Sequence, residues 1–115
     1  MVELDQFKYT LSTYVPMLKE LGASLNLDAK KERIAELSRY MEAPDFWDNP
    51  EKSQESMKNL KSMKDDIAIY AKLKDEFDEI ETLIEMAAEE NDESLIPEIQ
   101  DLLDDFRKTY DDIRI

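Results

Sequence analysis

Leu4, Phe7, Leu11, Tyr14, Leu18, Leu21 and Leu25 follow one another at alternating steps of three and four without a miss. That spacing places every one of these side chains on a single helix face, at the a and d positions of a heptad repeat. A strand, whose faces alternate every second residue, cannot accommodate it. Pro16 falls inside the run, where it removes one backbone hydrogen bond and its ring meets the carbonyl of Ser12, at a cost of about 3 kcal/mol. Because the apolar phase continues beyond it, the sequence predicts a kink at Pro16 and not a break. Gly22 weakens the end of the same helix.

The rest of the chain extends the pattern. Asp28 is a suitable N-cap for a second helix ending near Glu42, with Ile34, Leu37 and Met41 facing inward. The stretch from Ala43 to Pro50 interrupts the periodicity. Asn49 followed by Pro50 then reads as a cap and first helical residue, since the N–H that proline lacks would be unpaired there anyway. A third helix carries Met57, Leu60, Met63, Ile67, Tyr70, Leu73, Phe77, Ile80, Ile84 and Ala87. At 1.5 Å per residue its roughly 38 residues make a rod of about 57 Å, the spine of the fold. A polar turn from Glu89 to Ser94 leads to a fourth helix with Leu95, Ile99, Leu102, Phe106, Tyr110 and Ile113, and Pro97 sits harmlessly in its first turn. So short a turn makes the last two helices antiparallel. With one glycine and four prolines there are too few turn residues for a sheet protein. The expected fold is all-α. It is a single domain over residues 1–115, an elongated antiparallel three-to-four-helix bundle with coiled-coil character. Its helices are expected at about 3–25, 29–42, 50–88 and 95–114.

Charge narrows the class of partner. Residues 75–115 hold sixteen acidic and three basic residues, so nearly all of the net charge of −14 lies in the last third. Such a segment repels nucleic acid and anionic membrane and favours a basic protein surface; the plainer reading is a solvated, solubilising helix face. The absence of cysteine excludes disulfides and thiolate metal sites. The opening residues lack the basic-then-apolar pattern of a signal peptide, and no apolar run approaches the ~20 residues that span a bilayer. A cytoplasmic protein with no membrane partner is expected.

Chemistry is hard to place on these residues. Histidine and cysteine are absent, and no glycine-rich elbow or phosphate loop accompanies the serines. No enzyme, catalytic residue, cofactor or small-molecule substrate is expected. The run Glu89-Glu90-Asn91-Asp92-Glu93 lacks the alternating ligands and sharp-turn glycine of a calcium loop, so it reads as a solvated turn with no metal. Lys30, Lys31 and Arg33 lie in the first turns of helix two, where the macrodipole disfavours cations. They either touch an acidic surface or RNA phosphates, or are paired with Glu32, Glu36 and neighbouring acids, and the pairing is the simpler reading. Phe46 and Trp47 are large rings in an irregular linker. They are expected to plug the end of the bundle; exposed, they would anchor a partner.

The segments Asp28-Ala29-Lys30-Lys31-Glu32-Arg33-Ile34-Ala35-Glu36-Leu37 and Ala43-Pro44-Asp45-Phe46-Trp47-Asp48-Asn49-Pro50-Glu51-Lys52-Ser53-Gln54 closely resemble the bacterial peptide chain release factor 2 family. The passage from Glu81 through Asp92 is similar too, and the likeness covers essentially the whole chain in order. The Pro-Asp-Phe-Trp loop is its specific part; release factor 1 has a helical domain here without that loop.

The resemblance implies the N-terminal helical domain of a longer factor, with Ile115 about where the family's helical domain hands over to its decoding body. It implies a role in translation termination: entry into the ribosomal A site, recognition of UAA and UGA, and release of the peptide from its tRNA. The family's Ser-Pro-Phe and Gly-Gly-Gln motifs do not occur in this sequence, so no decoding or catalytic residue carries over. What the domain itself would contribute is contact with the stalk base of the large ribosomal subunit, its proteins and ribosomal RNA. Glu89, Glu90, Asp92 and Glu93, in the turn farthest from Ile115, are the protein-contact candidates, with Lys30, Lys31 and Arg33 beside them. A free-standing acidic coiled-coil adaptor or structural protein is the competing class.

Overall fold

The first helix, α1, spans Val2–Ser24 and buries Leu4, Phe7, Leu11, Tyr14 and Leu18, so the heptad face is the face that leaves water. This is a computed structural model, and it describes residues 1–114. The helix runs unbroken through Pro16. Pro16 and Ser12 both lie on the exposed side, where water can satisfy the Ser12 carbonyl that the proline leaves unpaired. Leu21 and Leu25, at the end of the seam, are only half-buried.

Three more helices follow: α2 over Leu27–Met41, α3 over Pro50–Glu90 and α4 over Ile96–Arg114, with short 3₁₀ turns at Phe46–Asp48 and Glu93–Leu95. The fold is all-α, and among the described residues there is no strand. The chain divides into two compact units. One is built from Met1–Glu20 and Ala71–Ile115, the other from Leu21–Tyr70.

In the first unit the core is Leu4, Phe7, Leu11, Tyr14 and Leu18 of α1, Leu73, Ile80, Ile84 and Ala87 of α3, and Ile99, Leu103, Phe106 and Tyr110 of α4. Tyr14 joins α1 to α4 by edge-on contacts with Phe106 and Tyr110, at ring centroid distances of 5.0 and 5.3 Å. Phe77 meets Phe106 at 6.3 Å. These two rings stand at nearly equal sequence distances on either side of Asn91, so α3 and α4 run antiparallel. On α4 the sequence pointed to Leu102, but Leu103 is the buried leucine and Leu102 only half-buried. Steps of four, three and four from Ile99 select Leu103, and a step of three to Leu102 rotates the stripe away from it.

The second unit is thinner. Along α3 from Pro50 to Tyr70 only Ser53 is buried; Leu60, Met63, Ile67 and Tyr70 are half-buried and Met57 is exposed. Here α2 supplies one buried side chain, Leu37. Lys30 near the start of α2 bonds to Asp66 late in this stretch, at 2.9 Å. The connection from α1 to α2 differs from expectation. Asn26, not Asp28, occupies the cap position, in the left-handed region at φ 52°, and its side chain makes no capping bond. Asp28 falls inside the first turn, where its charge still suits the helix dipole. At the start of α3 the expected cap is present: the Asn49 side-chain oxygen accepts from the Lys52 N–H at 3.2 Å.

Phe46 and Trp47 part company. Phe46 is buried, whereas Trp47 is 56% exposed and is not a plug. Neighbouring residues of a 3₁₀ turn point about 120° apart, so only one of the two rings can face inward. Trp47 lays an edge against Phe46 at 4.7 Å, and Tyr40 meets Phe46 from another side at 5.6 Å.

Candidate functional site

The acidic turn between α3 and α4 is built by two kinds of cap. Asn91 adopts φ 50°. This left-handed residue lets the Asp92 N–H donate to the Ala87 carbonyl at 2.9 Å and the Asn91 N–H reach the Ala88 carbonyl at 3.4 Å. That is the Schellman arrangement, with asparagine in the place glycine usually takes. Asp92 then opens the next turn, its carboxylate accepting from the Ser94 N–H at 2.9 Å and from the Ser94 hydroxyl. Those two bonds hold the Asp92 carboxyl below the usual aspartate range.

The four acidic candidates therefore separate. Asp92 has a structural task, and Glu93 stands beside it at a helical start that favours negative charge. Glu89 and Glu90 are the last two residues of α3, exposed, and no basic residue shares their turn. A helix C-terminus carries negative partial charge, so each of these glutamates opposes the macrodipole by about 0.3–1 kcal/mol. Among the described residues neither side chain has an ion-pair partner. Among the described residues no three acidic side chains converge closely enough to hold a metal ion.

The basic candidates lie in the other unit. Lys30 is half-buried and paired with Asp66, and Arg33 pairs with Glu36 one turn along its own helix at 3.2 Å. Lys31 is exposed. Lys30 and Arg33 line a polar cleft of about 270 Å³ with Leu37 on α2 and Ser56, Asn59 and Met63 on α3. The partner that offsets the dipole penalty at Lys30 comes from α3, which helical spacing on α2 alone could not reveal.

Ser53 was not among the residues singled out from the sequence. It is 2% exposed, and its hydroxyl donates to the carbonyl of Phe46 at 2.6 Å, with the Asn49 carbonyl 2.9 Å away. A serine at the fourth position after a cap asparagine is the only signal that could have pointed to it.

The described residues form helices joined by short turns, and the turn between the antiparallel α3 and α4 is acidic. The family model of the PCRF domain matches residues 30–115, and the chain belongs to that family. It is similar to peptide chain release factor 2 of Staphylococcus saprophyticus, 31% identical over 114 residues, covering 99% of this chain and 31% of that protein. The protein of the same name from Exiguobacterium sp. is 32% identical over 114 residues, with coverages of 99% and 31%. That from Clostridium perfringens is 38% identical over 98 residues, or 85% of this chain and 27% of that protein. The chain thus spans about a third of the length of the curated relatives it matches. Among the described residues no helix is long and apolar enough to cross a membrane.

Proposed function

We propose that this chain acts in translation termination, as the helical region through which a peptide chain release factor docks on the ribosome. Membership of the PCRF family and the release factor 2 relatives support the process. In this reading the whole factor recognises UAA and UGA and triggers hydrolysis of peptidyl-tRNA elsewhere in its length, and the present region contributes contact and not chemistry. Its docking point is the α3–α4 turn, facing basic protein at the stalk base of the large subunit.

The observation that carries the docking point is the pair Glu89 and Glu90, exposed at a helix end that electrostatics disfavours. Charges kept against local stability are a recurrent mark of function. Binding of the 115-residue chain to purified large ribosomal subunits, measured across ionic strengths, tests it. Salt-sensitive binding is expected, with slower association for Glu89→Lys/Glu90→Lys, since charge at an interface rim governs on-rate more than residence. Asp92 is left intact so that the turn still forms. Binding that ignores the double reversal would overturn the docking point, and no binding by chain or variant would overturn the docking role.

A further inference from the structure

Between α1 and α3 in the first unit lies a groove of about 390 Å³. Leu4, Leu11 and Val15 of α1 and Phe77, Ile84 and Ala88 of α3 give it an apolar floor. Leu4, Leu11 and Ile84 are core residues that show through at this point, while Val15 is 54% exposed. The rim is acidic: Asp5, Glu81, Glu85 and Glu89 surround the floor, against one cation, Lys8.

The acids on α3 are arranged as a file. Glu81, Glu85 and Glu89 stand four residues apart, so each repels the next along one helix face, an arrangement that works against the helix itself. None of the four rim carboxylates forms an ion pair with another described residue, nor does Lys8. From Phe77 to Glu89 the groove follows α3 for about 18 Å at 1.5 Å per residue, the length of a three-turn helix.

We propose that this groove is a docking site for a basic amphipathic helix of a partner protein. Its apolar stripe would lie on Val15, Phe77 and Ala88, with flanking Lys or Arg side chains facing Glu81, Glu85 and Glu89. An apolar floor with a charged rim is the usual design for holding an amphipathic helix, the floor giving affinity and the rim orientation. Nucleic acid and anionic lipid would bring phosphate against carboxylate. A second copy of this chain, with its net charge of −14, would bring acid against acid. Glu89 belongs both to this rim and to the proposed docking turn, so the test reverses Glu81 and Glu85, which lie outside that turn.

The test uses the 115-residue chain and a fluorescein-labelled fourteen-residue designed peptide, leucine on one helical face and lysine on both flanks. A scrambled peptide and one with glutamate for every lysine are the controls. Anisotropy should show saturable binding of the basic helix alone. Glu81→Lys/Glu85→Lys should weaken it about tenfold at low salt, an effect that shrinks as salt screens the rim. Val15→Asp, on an exposed residue, should weaken it comparably at every salt concentration. Circular dichroism verifies that both variants stay folded. Equal binding of the scrambled peptide would reduce the site to general charge attraction and overturn the proposal. Equal binding of the glutamate peptide, or concentration-dependent dimerisation abolished by Val15→Asp, would overturn it in favour of a charge-blind apolar site or a second copy.

Discussion

A Cβ atom on residue 22 would stand 2.5 Å from the hydroxyl oxygen of Tyr70 and 2.7 Å from the ring carbon that bears it. The one glycine in the chain is therefore where α1 lets a side chain of α3 come close. Alanine is ordinarily about 1 kcal/mol better than glycine inside a helix. Here the ring must shift to admit the methyl group, and overpacking costs about 1–3 kcal/mol. Gly22→Ala is expected to lower stability by about 1 kcal/mol in urea denaturation, and to raise it by a similar amount in a Tyr70→Ala background. Equal effects in the two backgrounds would mean that the ring moves aside freely.

Phe46 and Trp47 should respond very differently to truncation. Phe46→Ala empties a buried position and is expected to cost about 3–5 kcal/mol. Trp47→Ala removes an exposed ring with one edge contact, worth about 1 kcal/mol. Trp47 is the only tryptophan, so its fluorescence reports directly: emission should be red-shifted and readily quenched by iodide in the folded chain. A blue-shifted, protected emission would restore the plug.

Ser53 tests a buried polar contact. Ser53→Ala leaves the Phe46 carbonyl without its donor and is expected to cost about 1–3 kcal/mol, the usual range for a buried unsatisfied group. Hydrogen exchange should quicken around residues 46–53 and stay unchanged in the first unit. A neutral result would mean that water takes the place of the hydroxyl.

Asp92 gives a pH dependence of known sign. Its carboxyl is held low in the folded chain by the Ser94 bonds, so its contribution is present above the unfolded aspartate value, near 3.9, and is lost as pH falls through the lower folded value. Carbon-13 titration should find Asp92 below the ordinary aspartate value near 3.9. Ser94→Ala should bring it back toward that value, and a titration unmoved by that change would count against the cap.

The fold was legible wherever one helix face is fully covered. On α1 the steps of three and four name the buried residues as far as Leu18, because α3 and α4 both close over that face. On α4 two adjacent leucines, Leu102 and Leu103, are equally apolar, and periodicity alone cannot say which faces the core. The first half of α3 carries as clear a stripe as the second yet stays half-buried, since α2 offers only Leu37 to bury against it. Nothing in the sequence marks the division at residues 20–21 and 70–71, because both breaks fall inside continuous helices. Of the candidate site, the acids were visible as a charge run. Their sorting into the capping Asp92 and the unexplained Glu89 and Glu90 needed the backbone geometry of Asn91.

The first unit is built from two stretches far apart in sequence while the second is one unbroken stretch, and this imposes an order on synthesis. Tyr14 is made about ninety residues before the rings it packs against, Phe106 and Tyr110. At roughly 5–20 residues per second, the interval between them lasts about 5–18 s. Until α4 is made the leucine face of α1 has only α3 to lie against, whereas residues 21–70 are complete as a unit once Tyr70 has been added. The unit made in one stretch can therefore close before the unit that waits for α4, and α1 is the helix left longest without its full cover.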